Sequence, residues 1–124
     1  MQYSINKQEE YTILTLEVDK LDSLQAPALK SELVTIANSG TTSLILNMST
    51  VKYTDSSGLS ALLVGNRIVQ EDGGIFVLAN LSDHTTKLIK ISQLDSVLNI
   101  LPTVEEAVDA VFMHEVEKEL GDEE

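Results

Sequence analysis

Tyr53-Thr54-Asp55-Ser56-Ser57-Gly58 lies between the short apolar run Ser43-Leu44-Ile45-Leu46-Asn47-Met48 and the longer apolar run Leu59 to Val69. The first run has the length and composition of a strand. The second, rich in Leu and Ala, has the length of a helix. The six residues therefore form a strand-to-helix junction. A helix start leaves backbone N–H groups without partners and carries partial positive charge, so a side-chain oxygen there can cap the helix or carry an anion. The junction can be read as an N-cap, with Asp55 or a serine accepting from the first turn, or as a phosphoacceptor serine presented at a helix N-terminus. The two readings are compatible.

Two catalytic alternatives fail on spacing. A hydrolase nucleophile elbow needs glycine two residues before and after its serine. Thr54 precedes Ser56 and Asp55 precedes Ser57 at that distance. A phosphate-cradling loop needs several glycines and a lysine at the helix start, whereas Gly58 stands alone and is followed by Leu59.

Working outward, the elements alternate. Gln2 to Asn6 and Tyr11 to Val18 read as a hairpin. Asp22 and Ser23 offer N-caps to a helix with Pro27 in its first turn, apolar positions Ala26, Leu29, Leu33, Ile36 and Ala37, and Gly40 as its stop. After the strand Ser43–Met48 and the junction, a helix of about Ser57 to Gln70 carries Leu59, Leu62, Leu63 and Val69 on one face. Ala61, Val64 and Ile68 extend its apolar surface, either buried by neighbours or left as a strip for a partner. Glu71-Asp72-Gly73-Gly74 is a turn, and Ile75–Ala79 is a fully buried strand. Ser82 caps a further helix with Leu88, Ile89 and Ile91 turned inward. Val97–Leu101 is a last strand. Thr103 and Glu106 form a capping box opening an amphipathic helix through Ala107, Val108, Val111, Phe112 and Val116, and Gly121–Glu124 reads as a frayed tail. The expected fold class is α/β, with a mixed, mostly parallel sheet of about five strands and about four helices.

Composition restricts function. One domain suffices for 124 residues that are 43% hydrophobic. There are no cysteines, so disulfides and thiolate metal sites are excluded. Net charge is −12, and Glu105 to Glu124 holds nine acids against one lysine. Such a chain repels nucleic acid and anionic membrane. No run approaches a membrane span, and Met1-Gln2-Tyr3-Ser4 lacks the basic region and apolar core of an export signal, so no membrane insertion and a cytoplasmic location are expected. His84 and His114 lack metal-ligand spacing to any partner and read as surface or capping residues. The carboxylates from Glu105 to Glu119 read as a solvated helix face. No metal, cofactor or catalytic residue is expected.

A strand ending in Asn47 and the loop to Asp55-Ser56-Ser57-Gly58-Leu59 at a helix start resemble the STAS domains of bacterial anti-sigma factor antagonists. Leu21-Asp22, Gly73-Gly74, Leu94-Asp95 and Glu105-Glu106-Ala107 also resemble the family pattern, which spans about Tyr3 to Ala110. The resemblance implies a single STAS domain over residues 1–124, with a core of about 3–118 and an acidic tail of about 119–124. It also implies a non-enzymatic switch. The unphosphorylated form would bind an anti-sigma factor with serine kinase activity and release a sigma factor. Phosphorylation of Ser56 from MgATP would turn it off, and a metal-dependent serine phosphatase would reset it. Asp55, Ser57 and Gly58 complete the phosphosite motif, and Asp22, Ser23, Thr54 and Leu59 join the partner surface. Two other functions are compatible with the fold: an adaptor subunit of a membrane lipid or anion transport complex, and a nucleotide-binding sensor, which the missing glycine-rich loop and scarce lysines disfavour. Many relatives carry glycine where this chain has Asp19 and Gln93, which implies differently shaped turns there.

Overall fold

The computed structural model describes residues 1–122. A five-stranded sheet runs in the order β1 (Tyr3–Lys7), β2 (Thr12–Leu16), β4 (Leu44–Asn47), β6 (Phe76–Ala79), β7 (Asn99–Leu101). β1 is antiparallel to β2, and every other pair is parallel. A separate two-stranded parallel ladder joins β3 (Lys20–Leu21) to β5 (Tyr53–Thr54). The helices are α1 (Ala26–Asn38), α2 (Ser56–Glu71), α3 (Asp83–Ile91) and α4 (Val104–Asp122). The expected α/β class, mixed sheet and four helices are all present.

Burial explains the order. β4 and β6 lie inside the sheet, and their apolar residues Leu44, Ile45, Leu46 and Phe76 to Ala79 are buried on both faces, as parallel central strands require. β2 alternates buried Thr12, Leu14 and Leu16 with half-buried Ile13 and Thr15, while edge strand β1 is exposed throughout. One face of the sheet packs Leu14, Leu46, Phe76 and Leu78 with Leu29, Leu33, Leu62 and Val69 from α1 and α2. A smaller core on the opposite face joins Ile45, Val77 and Ala79 to Ala107 and Val111 of α4.

Some elements differ from expectation at their ends. α1 begins at Ala26, after the turn that Asp22 and Ser23 occupy, and its N-cap Gln25 makes no side-chain cap bond. Pro27, lacking an N–H, holds the first turn. Ile91, expected inward, is exposed because α3 ends there at C-cap Ser92, while Ile89 carries the buried contact. β7 begins only at Asn99, leaving Val97 exposed and Leu98 buried in the preceding turn. Thr103 caps α4 by accepting from the N–H of Glu106 at 3.1 Å. Phe112 and Val116, however, lie about 120° and 160° round α4 from the buried Ala107–Val111 line, and both are half-exposed. The helix continues through Gly121 to Asp122; residues 123 and 124 of the expected tail lie outside the described residues. Gly40, the expected stop of α1, has φ +94°.

Candidate functional site

The loop leaving β4 is anchored by the buried side chains of Met48 and Val51 and re-enters the fold through the β3–β5 ladder. The Asp19 carbonyl accepts from the N–H groups of Lys52 at 2.8 Å and Tyr53 at 3.2 Å, and the Leu21 carbonyl accepts from Asp55 N–H at 3.2 Å. Leu21 pairs with Thr54 in parallel register, so the chains leave the ladder side by side. The turn Asp22-Ser23-Leu24 therefore emerges beside Asp55-Ser56. Asp22 Oδ1 accepts from the N–H groups of Leu24 at 3.1 Å and Gln25 at 3.3 Å, which shapes that turn. Ser23 and Leu24 are exposed on it.

Asp55 is the N-cap of α2. Its backbone is extended, its carboxylate accepts from Gly58 N–H at 2.9 Å, and its carbonyl accepts from Leu59 N–H at 2.9 Å. The cap duty thus falls on the aspartate. Ser56, the first helical residue, is exposed, and Ser57 is half-buried. Both N–H groups belong to the first turn, where no intrahelical carbonyl can reach them. An anion on Ser56 would meet these donors and the positive end of the helix.

Gly58 closes the junction from inside. A Cβ there would strike the Leu21 carbonyl and come within 2.9 Å of the Leu21 and Thr54 side chains. Thr54 and Leu59, expected on the partner surface, point into the protein and are buried. Thr54 Oγ1 shares a 2.9 Å hydrogen bond with Thr85 Oγ1 of α3. Ser82, the α3 N-cap, donates to the Lys52 carbonyl at 3.1 Å and accepts from Thr85 N–H at 3.2 Å. These two side chains hold the junction from beneath while Asp22, Ser23 and Ser56 border its outer surface.

Tyr53 and His84 lie together beside the junction, although the sequence does not mark them as neighbours. Tyr53 is half-exposed and its ring lies 4.7 Å from the imidazole of His84, tilted by 34°. The two-residue strand bearing Tyr53 gives too short an alternation to read. His114, from the middle of α4, bonds the Gly73 carbonyl through Nε2 at 3.1 Å and takes no part in the junction. Among the described residues no group of three or more His, Asp or Glu side chains is arranged to hold a metal ion. Neither is any helix among them long and apolar enough to cross a membrane.

The strand-to-helix junction, the two-stranded ladder beneath it and the mixed sheet can be set against known proteins. A STAS domain model matches residues 2–107. The chain belongs to the STAS domain family. The anti-sigma-B factor antagonist of Bacillus subtilis (strain 168) is 32% identical over 94 residues, covering 76% of this chain and 85% of that protein. Among solved structures, an anti-sigma factor antagonist from Mycobacterium paratuberculosis is 21% identical and superposes with a TM-score of 0.79, covering 89% of this chain and 92% of that one. The Bacillus cell fate determinant SpoIIAA in its phosphorylated form is 25% identical with a TM-score of 0.68, covering 89% and 99% respectively. The STAS match ends at residue 107, so the last four turns of α4 extend past it.

Asp19 and Gln93 test the expected turn differences. Gln93 has φ 60°, the left-handed conformation that glycine adopts without strain. The turn keeps a glycine-compatible backbone with a glutamine in it. Asp19 has no positive φ, and its carbonyl serves the β5 loop.

Proposed function

We propose that this STAS protein is an anti-sigma factor antagonist switched at Ser56. Unphosphorylated, it binds an anti-sigma factor with serine kinase activity through the edge formed by Asp22, Ser23, Ser56 and their exposed neighbours Leu24 and Tyr53, and so releases a sigma factor for transcription. The kinase transfers the γ-phosphoryl of MgATP to Ser56 Oγ, and a metal-dependent serine phosphatase removes it. Ser56 is a substrate residue in this cycle, and the chain contributes no catalytic group. A cytoplasmic site of action follows from those partners.

The observation that carries the reading is the division of labour at the helix start: Asp55 caps, which leaves the exposed Ser56 hydroxyl free for transfer. The names of its relatives support the partner class, and one of them is a phosphorylated form. The mechanism is electrostatic. A phosphoryl group adds roughly −1.5 to −2 at neutral pH, next to Asp55 on a chain already at −12. The helix start offsets about 0.3 to 1 kcal/mol of this in an exposed setting. The fold therefore survives, and a surface that met its partner with a neutral hydroxyl becomes repulsive.

Incubation with the cognate kinase and MgATP, followed by mass-spectrometric mapping, tests the site. Label on Ser56 is expected; label mainly on Ser57 contradicts the assignment.

A further inference from the structure

The C-terminal half of α4 is apolar on the face turned away from the sheet. Phe112, Met113, Val116 and Leu120 are 47%, 59%, 49% and 59% exposed. Met113, Val116 and Leu120 follow the i, i+3, i+7 spacing of a helix–helix seam, and Phe112 borders it, its ring edge-on to Tyr11 with centroids 6.1 Å apart. With Met113 and Leu120 at a positions and Val116 at d, the flanking e and g positions are Glu117 and Glu119. Both are exposed acids.

That flank decides what can sit on the seam. A second copy laid antiparallel would set each glutamate against its own counterpart, and one laid parallel would bring the same acidic flanks together with no basic residue at e or g to meet them. Either pairing is repulsive, between chains of −12 each. Anionic lipid is repelled in the same way. A helix with apolar a and d positions and Lys or Arg at its flanks is complementary in both respects. We propose that the outer face of α4 docks a basic amphipathic helix from another protein.

This surface is separate from the Ser56 edge. α4 starts just after β7 and runs back along the sheet, so that His114 reaches Gly73, which precedes β6. Its seam thus lies toward the end of the parallel strands opposite to the Ser56 junction. Occupation of one site leaves the other open, and the docking inference holds whatever partner Ser56 serves.

The test uses the full chain and three synthetic three-heptad peptides in calorimetry at about 0.15 M salt. The first has Leu at a and d and Lys at e and g, which also keeps it from pairing with itself. The second replaces Lys with Glu, and the third keeps Lys but has Ser at a and d. The first is expected to bind at least tenfold more tightly than either of the others. A Val116→Ser/Leu120→Ser chain, unchanged in charge, is expected to bind it at least tenfold more weakly while unfolding at the same urea concentration. Three results would overturn the proposal: no binding of the first peptide, equal binding of the polar basic peptide, which would mean charge attraction alone, or undiminished binding by the double variant. Sedimentation showing a dimer that the double variant loses would also overturn it, by assigning the seam to a second copy.

Discussion

Asp55 accepts the N–H of Gly58 at 2.9 Å, and this bond separates two roles that the sequence leaves merged in Asp55-Ser56-Ser57. The carboxylate holds the helix start. The adjacent Ser56 hydroxyl stands exposed outside that bond, as the proposed switch requires.

Asp55→Ala should therefore cost about 0.5 to 2 kcal/mol, the usual loss for an N-cap. Ser56→Ala should stay within about 0.5 kcal/mol of the parent, as an exposed substitution does. Urea unfolding of the two variants measures both. Equal losses would mean that the Ser56 hydroxyl shares the cap.

Gly58→Ala tests the close approach to Leu21. Alanine gains roughly 1 kcal/mol of helix propensity over glycine, but its methyl group meets a backbone carbonyl that cannot swing aside. Overpacking of this kind costs typically about 1 to 3 kcal/mol. A net loss of stability is expected, with Gly121→Ala as the control, since a Cβ there meets nothing within 4 Å. Stabilisation by Gly58→Ala would show that the β3–β5 ladder yields.

The buried Thr54–Thr85 pair makes a different prediction. Thr85→Val should cost about 1 to 3 kcal/mol by leaving the Thr54 hydroxyl without its partner. Thr54→Val/Thr85→Val should recover part of that loss, because both polar groups are gone. A double-mutant cycle on unfolding free energies reads the coupling, and strictly additive losses would contradict it.

The junction shows what a sequence carries and where it stops. The order of elements is readable because each long segment keeps one period: Phe76 to Ala79 is continuously apolar, and α1 buries Ala26, Leu29, Leu33 and Ile36 at helical spacing. The strand-to-helix junction is legible from Asp55-Ser56-Ser57-Gly58 between two apolar runs, although which of its side-chain oxygens caps α2 is not. The β3–β5 ladder is not, because two-residue strands such as Lys20-Leu21 have no period. Thr54 is misplaced on the surface because its burial depends on Thr85 of α3 arriving from elsewhere in the chain, whereas Leu59 belongs to the apolar face of α2 and is placed on the surface only by the resemblance. α4 misleads in another way. Its apolar residues occupy two faces, and a single sheet can cover only one of them, so Phe112 and Val116 read as core.

Gln93 offers a test of strain outside the site. A non-glycine residue in the left-handed region costs roughly 1 to 2 kcal/mol, partly offset by the greater entropy that glycine loses on folding. Gln93→Gly should raise stability by up to about 1 kcal/mol in urea unfolding. A loss would mean that the glutamine side chain contributes more than its backbone costs.

The central claim is that charge at Ser56 gates partner binding, and the most direct measurement is the affinity of the Ser56→Ala and Ser56→Asp chains for the anti-sigma partner, by calorimetry at fixed salt. Both variants should fold. Alanine should bind as the unmodified protein does, and aspartate should bind at least tenfold more weakly, about 1.4 kcal/mol, short of the full effect of phosphate because one carboxylate carries less charge and fewer acceptor oxygens. Equal affinities from two folded variants would contradict the switch and leave a STAS adaptor whose serine is only a contact.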